Sequence, residues 1–426
     1  MTAVDIDSTG SLGEASTFRA LAWVYGVAHG GKTLFWTASD LYFTFYMTEI
    51  CGVAPAYTGA TIGVSFLFAA FADLVLAQAL SRSRLHHRSA GRMQAIGACA
   101  SAVALLLFAG ASFVPLSIRL GACIVALFGF RAAYALLDVP QNALLALATT
   151  SERERARLTA VRNVVGAIAR TGLALAFVPV MTGQTPLLSG IAFLCLVLPL
   201  ATVAITGALL LNRALGQRPE IVHTDPAPPR LTRTVLLLLV MMFIQTIATT
   251  GFMQIEPYFA AYGIADRIAA GIFMGGIALG GAVSQPLWLA RNATRPSPVL
   301  LREALGVMVI GTMLLVILPP GTVVGSAGAG LIYGIGSGGV LFSLWASIAR
   351  TAASGSAIEI IGRFTAAAKF GQGLAVMAFG LMLDERSFRG DGDHLAVAMC
   401  GVILPGVLIV GGLSMLNRGQ RDLIVT

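Results

Sequence analysis

The chain contains only two lysines, Lys32 and Lys369, and both fall inside long apolar segments while the loops draw their positive charge from arginine. A lysine in hydrocarbon costs several kcal/mol unless a partner or a water-filled cavity receives it, so the pair marks a working interior. Asp40, Asp73, Asp138 and Glu256 also lie in apolar runs, as do Arg131, Arg162 and Arg170. Such groups can form ion pairs, take up protons and hold a polar solute. No HExxH or CxxC spacing suggests a metal site, and no nucleophile and base stand at a recognisable spacing. Neither catalytic residues nor metal ligands are therefore expected.

Spacing places these groups on shared helix faces. His29, Lys32, Thr33, Trp36 and Asp40 fall at offsets of three, four, seven and eleven, one polar face of the first apolar segment. At 1.5 Å per residue Lys32 and Asp40 are about 12 Å apart along the axis, so each needs a partner on another helix. Trp36 reads equally well as a packing aromatic or as a stacking platform. In GFRAAYALLDVPQNALL, Arg131, Tyr134, Asp138 and Asn142 recur at i, i+3, i+7 and i+11. Pro140 is expected to interrupt that helix and free backbone carbonyls for a cavity or a cation. Arg131 and Asp138 could alternatively neutralise each other. Asp73 has no cation near it in sequence, and is either paired across helices or holds a proton. Lys369 reaches the other charges only if the two halves of the chain face each other. Glu256, near the end of its segment, is expected to be solvated or part of a gate.

The elements that must position these groups are transmembrane helices. With 57% hydrophobic and 11% charged residues among 426, the chain is too uniformly apolar for a water-soluble domain. Twelve apolar stretches can cross about 30 Å of hydrocarbon: near 19–47, 56–80, 93–113, 118–148, 160–182, 188–212, 234–261, 267–290, 301–319, 324–350, 362–383 and 394–416. Arginines cluster in alternate loops, at Arg82 to Arg92, Arg153 to Arg157, Arg213 to Arg233 and Arg291 to Arg295. That distribution places both termini in the cytoplasm, and it explains a net charge of +8 without nucleic-acid binding. The opening residues lack the pattern of a cleaved signal peptide. The five scattered cysteines have no paired spacing and read as packing residues.

The proline-rich break RPEIVHTDPAPPR falls at the midpoint. The organisation expected is a polar tail at 1–18, a six-helix bundle at 19–212, a cytoplasmic linker at 213–233, a second six-helix bundle at 234–416 and a tail at 417–426. A weak repeat supports it: Gly52 to Arg84 and Gly263 to Arg295 have the same length, and each opens with Gly, an aliphatic residue and Ala and closes on a basic loop. The fold class predicted is an all-α polytopic membrane protein of the major facilitator type, with twelve helices in two parallel halves and a site between them.

At these residues the chain resembles the glycoside-pentoside-hexuronide:cation symporters, the family of the melibiose permease. The likeness is carried by YGVAHGGK (Tyr25 to Lys32), FADLVLAQALSRSR (Phe71 to Arg84), YALLDVPQNALLA (Tyr134 to Ala146), ERERARLTAVR (Glu152 to Arg162), PLW (Pro286 to Trp288) and KFGQ (Lys369 to Gln372). The resemblance implies that Asp73 is one of two cation-site aspartates, with Ala69 where the other would stand. It implies that Asp138 touches both solute and cation regions, that Arg162 approaches the solute, and that Lys369 is the eleventh-span lysine. Thr33 replaces an aspartate that binds sugar hydroxyls, and Asn142 replaces a stacking aromatic. Asp40 and Arg131 are additions to the family pattern.

The function expected is cation-coupled symport of a small organic solute, such as a sugar or glycoside derivative, by alternating access. Asp73, Asp138 and Lys369 would couple it to a cation, H⁺ in preference to Na⁺, because Na⁺ wants several oxygen ligands. Lys32, Thr33, Trp36, Asp40, Arg131, Tyr134, Asp138, Asn142, Arg162 and Lys369 would line the solute site. No cofactor is expected beyond the coupling ion, and no partners beyond solute, cation and membrane lipids. A monomer in a bacterial inner membrane is the expected setting. An exporter or carrier of amphipathic molecules, and a sensor or scaffold on a carrier fold, are the alternatives.

Overall fold

A computed structural model describes residues 7–82, 86–149, 152–181, 185–218, 231–264, 266–318, 322–352, 357–385 and 392–416. Among the described residues twelve helices of 17 residues or more follow one another: α1 (Asp7–Thr37), α2 (Pro55–Arg82), α3 (His87–Ala109), α4 (Leu116–Leu147), α5 (Glu152–Ala176), α6 (Pro186–Gly216), α7 (Arg233–Tyr258), α8 (Arg267–Val283), α9 (Ser297–Ile317), α10 (Val323–Ala352), α11 (Ala357–Glu385) and α12 (Gly392–Leu416). Each expected apolar stretch overlaps one of them, but α1 begins at Asp7, inside the tail expected at 1–18, and ends at Thr37, short of the end of the first stretch. Eleven are long and apolar enough to cross a membrane, some with a short helical continuation. The exception is α1, whose polar face lowers its hydropathy. Of the linker read at 213–233, residues 219–230 lie outside the described residues, as does the tail at 417–426.

Packing follows a repeat that spaces partners six helices apart. In the first six helices α1 lies against α5 and α6, α3 against α4 and α6, and α2 against α4. In the last six, α7 lies against α11 and α12, α9 against α10 and α12, and α8 against α10. Adding six to each member of the first set generates the second. The halves meet chiefly where α2 packs on α11 and α5 on α8. Backbone approach along α2 and α11 is close enough that a Cβ on Gly59 would stand 2.6 Å from the Gly380 Cα, which is why small residues occupy both positions.

One buried apolar core, including Phe43, Phe66, Phe177, Phe252, Tyr258 and Phe379, runs through both halves. A second, with Phe18, Leu21, Tyr25, Leu144, Leu158 and Leu211, belongs to the first half alone, at the end carrying the arginine-rich loops. The opposite end is sealed between halves. There the chain leaves α1 through a π-helical turn at Ala38–Tyr42 and another at Tyr46–Ile50. It then turns on Gly52, whose φ of 68° is open to glycine at little cost.

Two expectations are corrected. Pro140 does not interrupt α4, which runs unbroken from Leu116 to Leu147. The region a freed carbonyl would occupy is closed by α3: a Cβ on Gly97 would sit 2.4 Å from the Leu137 nitrogen and 2.9 Å from the Leu136 oxygen. The irregular backbone lies in the first rod instead. Glu256 is not solvated either: it is 3% exposed, next to a π turn at Phe259–Gly263 that follows Pro257.

Candidate functional site

Four helices bring the central charges together. Lys32 on α1 donates from Nζ to Asp138 Oδ1 at 2.8 Å and to Asn142 Oδ1 at 2.8 Å. Asn142, one turn beyond Asp138 on α4, returns a hydrogen bond from Nδ2 to Asp138 Oδ1 at 3.0 Å. From the other half, Lys369 on α11 forms an ion pair with Asp73 on α2 and lies 3.6 Å from Asp138 Oδ2. Asp138 is thus held between two ammonium groups, one from each half. Lys32, Lys369, Asp73 and Asp138 are all buried. A pair buried this deeply is held by its partners, and removing one member leaves an uncompensated charge.

Aromatic faces close over the cluster. The Lys369 ammonium lies 5.0 Å from the Trp36 ring centre and 5.8 Å from that of Tyr134, within cation–π range. Trp36 and Tyr134 themselves sit 5.2 Å apart. Tyr134 donates to the Lys32 backbone oxygen at 3.4 Å. Trp36, for which packing and stacking were equally open, packs against Phe66 and also faces the Lys369 charge.

The face that spacing predicts on the first segment divides at the π turn. Lys32 turns to α4, while Asp40 turns to the second half, where Gln372 Nε2 donates to its Oδ1 at 3.0 Å and Gln254 donates to its backbone oxygen. Thr33 Oγ1 is spent on the His29 carbonyl at 2.8 Å. Arg131, fully buried, does not pair with Asp138. Its Nη1 donates to Ser39 Oγ at 3.0 Å, its Nε to Ser65 Oγ at 3.3 Å, and its guanidinium lies 3.8 Å from the Phe66 ring centre. Arg162 stands apart towards the arginine-rich end, donating from Nε to His29 Nε2 at 3.3 Å and lying 5.5 Å from the Trp345 ring centre of α10. The seal at the other end adds Thr44 with Gln254, the Thr48 and Tyr258 hydroxyls at 2.6 Å, and Tyr262 donating to Glu49 at 2.6 Å.

The predicted residues therefore form three groups: Lys32, Trp36, Asp73, Tyr134, Asp138, Asn142 and Lys369 at the centre; Asp40 and Arg131 on the sealed side; Thr33 and Arg162 on the arginine-rich side. Sequence reasoning passed over Ser39, Ser65, Gln254 and Gln372. Gln372, three residues beyond Lys369 in the KFGQ block, carried a readable signal. The glutamine on α7 carried none, since a polar residue in an apolar run does not reveal its partner.

A twelve-helix, two-half bundle with a charged centre is the major facilitator arrangement, and comparison with known proteins agrees. The family model described as MFS/sugar transport protein matches residues 24–416, and the chain belongs to that family. It is a membrane transporter of the secondary-carrier class. Among solved structures it is similar to a D-xylose-proton symporter, with a TM-score of 0.67 at 13% identity over 93% of this chain and 97% of that one. A bacterial homologue of the iron transporter ferroportin in its inward-facing state gives 0.65 at 12% identity, over 94% and 99%. A peptide transporter gives 0.65 at 10% identity, over 93% and 94%. At these identities the likeness is one of fold. No curated protein matches the sequence.

Proposed function

We propose that the chain is a melibiose-permease-like symporter that couples entry of a small organic solute to a cation, H⁺ in preference to Na⁺. One observation carries the reading: Lys369, from the second half, is bound to Asp73 and adjoins Asp138, both from the first half. A proton or metal cation arriving at these carboxylates competes with Lys369 for them, and Lys369 is also a tie between the halves at the charged centre. Cation binding and movement of one half against the other are thereby the same event, which is what coupled alternating access requires.

Ala69, buried on α2 one turn before Asp73, supplies no side-chain oxygen. A site short of oxygen ligands suits a proton better than Na⁺. The wider frame of the proposal is twelve spans in two six-helix halves, both termini in the cytoplasm, and a monomer in a bacterial inner membrane. The test is solute uptake in proteoliposomes under imposed proton and sodium gradients. Asp73→Asn should abolish gradient-driven accumulation while leaving solute exchange measurable, and accumulation that persists unchanged would refute the assignment.

A second reading has one observation in its favour. An apolar groove of about 460 Å³, lined by Leu67, Leu239, Phe243, Ala367, Phe370 and Leu374, opens on the surface between α2, α7 and α11. Such a groove suits a carrier of amphipathic molecules, and competition of long-chain against short-chain solutes in the same assay separates the two.

A further inference from the structure

The interior cations are not all balanced. Lys32 and Lys369 are matched by Asp138 and Asp73, and Asp40 is an electrostatic neighbour of Arg131. Arg162 and Arg170 remain. Neither forms an ion pair among the described residues, and Arg170 makes no hydrogen bond there either. Asp138 is within electrostatic reach of Arg162, but both lysines already hold it.

The two arginines stand at i and i+8 on the inward face of α5, two turns apart, and each is an electrostatic neighbour of the other and of His29. Between them, at i+4, is buried Gly166, where an added Cβ would stand 3.5 Å from both His29 Nε2 and Thr33 Oγ1. The glycine thus brings α1 close against α5 between the two arginines, and Trp345 faces the Arg162 end. Arg162 spends only its Nε on His29, and its two terminal nitrogens make no hydrogen bond among the described residues. Guanidinium forks with no counter-charge, turned inward on a membrane helix, repel each other and gain from an anion that bridges or shares them. Among the described residues none supplies such an anion to this pair.

We propose that Arg162 and Arg170, on either side of Gly166 on α5, receive the anionic group of the transported solute, which is an organic anion (a carboxylate, sulfonate or phosphoryl compound) and not a neutral sugar. This rests on the transporter reading above and names the solute class for it.

The test is thermal stabilisation of the purified full-length protein by matched compounds that differ only in charge, such as glucose against glucuronate and glucose 6-phosphate, with simple mono- and dicarboxylates alongside. Charged members should stabilise and neutral members should not. The carboxylate and phosphate arms say which oxyanion is preferred. In Arg170→Gln and Arg162→Gln the affinity for the charged member should fall roughly tenfold or more. The ligand-free melting temperature of Arg170→Gln should hold or rise, because an unpaired charge has been removed. Equal stabilisation by neutral and charged members, silence of every anion, or a preference unmoved by both substitutions would overturn the proposal. Counterflow in proteoliposomes is read separately. Binding of an anion without exchange would sink the transport reading and leave the anion assignment standing, whereas exchange of a neutral solute with silence from its acid would do the reverse.

Discussion

Asp138 and Asp73 carry the same charge but differ in what holds them. Asp138 has two lysines and an asparagine, while Asp73 has Lys369, and its Oδ1 has no partner among the described residues. Removing one member of a buried pair costs about 3–5 kcal/mol, mostly for the charge left behind, whereas replacing both by neutral residues of similar volume costs little. Lys369→Met alone should therefore lower the melting temperature more than Lys369→Met combined with Asp73→Asn, as a double-mutant cycle in detergent would measure. A double variant less stable than either single would contradict the pairing. At Arg131 the conservative change should fail. Lysine cannot reach Ser39 and Ser65 together while lying flat on Phe66, so Arg131→Lys should cost about 1–3 kcal/mol, read as a lower unfolding midpoint. Spacing revealed that Lys32, Asp138 and Lys369 were interior charges, because polar residues in apolar runs stand out. It did not reveal that Arg131 would choose serines over Asp138, since that depends on which faces of α1 and α2 arrive beside it.

Hydrophobic length made the helices legible, and every long apolar run became one. Breaks in them were not legible in the same way. Proline is the usual sign of an interrupted helix, yet α4 absorbs Pro140, while the first rod is rewound at Ala38–Tyr42 with no proline or glycine in the turn. The reason is tertiary. Tyr42 stacks on Phe177 at 3.5 Å and Gln254 captures the Asp40 carbonyl, so neighbours support the π turn that the local sequence does not announce. The α2–α11 contact gives the prediction at this scale. Gly59→Val or Gly380→Val would drive a side chain into facing backbone, with the added Cβ at 2.6 Å from the opposite glycine Cα. Either should cost about 1–3 kcal/mol and cut initial uptake rates severely, while Gly121→Val, with nothing within 4 Å, should leave both near wild type. Uptake and thermal melts on the three variants decide it.

For the whole molecule, the repeated packing of α1–α6 and α7–α12 makes the arginine-poor end a seam between halves. Thr44, Thr48 and Glu49 of one half there meet Gln254, Tyr258 and Tyr262 of the other. Replacing Thr48→Cys and Tyr258→Cys together should allow an oxidative bridge that holds this end shut. Transport should stop on oxidation and return with a thiol reductant. Transport that continues through a bridged seam would mean that this end need not open. At the opposite end the halves meet, among other places, where the Arg162 guanidinium lies over the Trp345 ring. An indole beside a cation is sensitive to where that cation sits, because the field shifts its emission. Of the four tryptophans, Trp23 is 65% exposed on the outer surface, Trp36 lies in the charged centre and Trp288 is buried within the second half, donating to the Ile335 carbonyl, leaving Trp345 as the one that spans the halves at this end. The molecule thus carries its own optical reporter: with the other tryptophans changed to phenylalanine, the colour of Trp345 would follow the parting of the halves in real time, without an added dye.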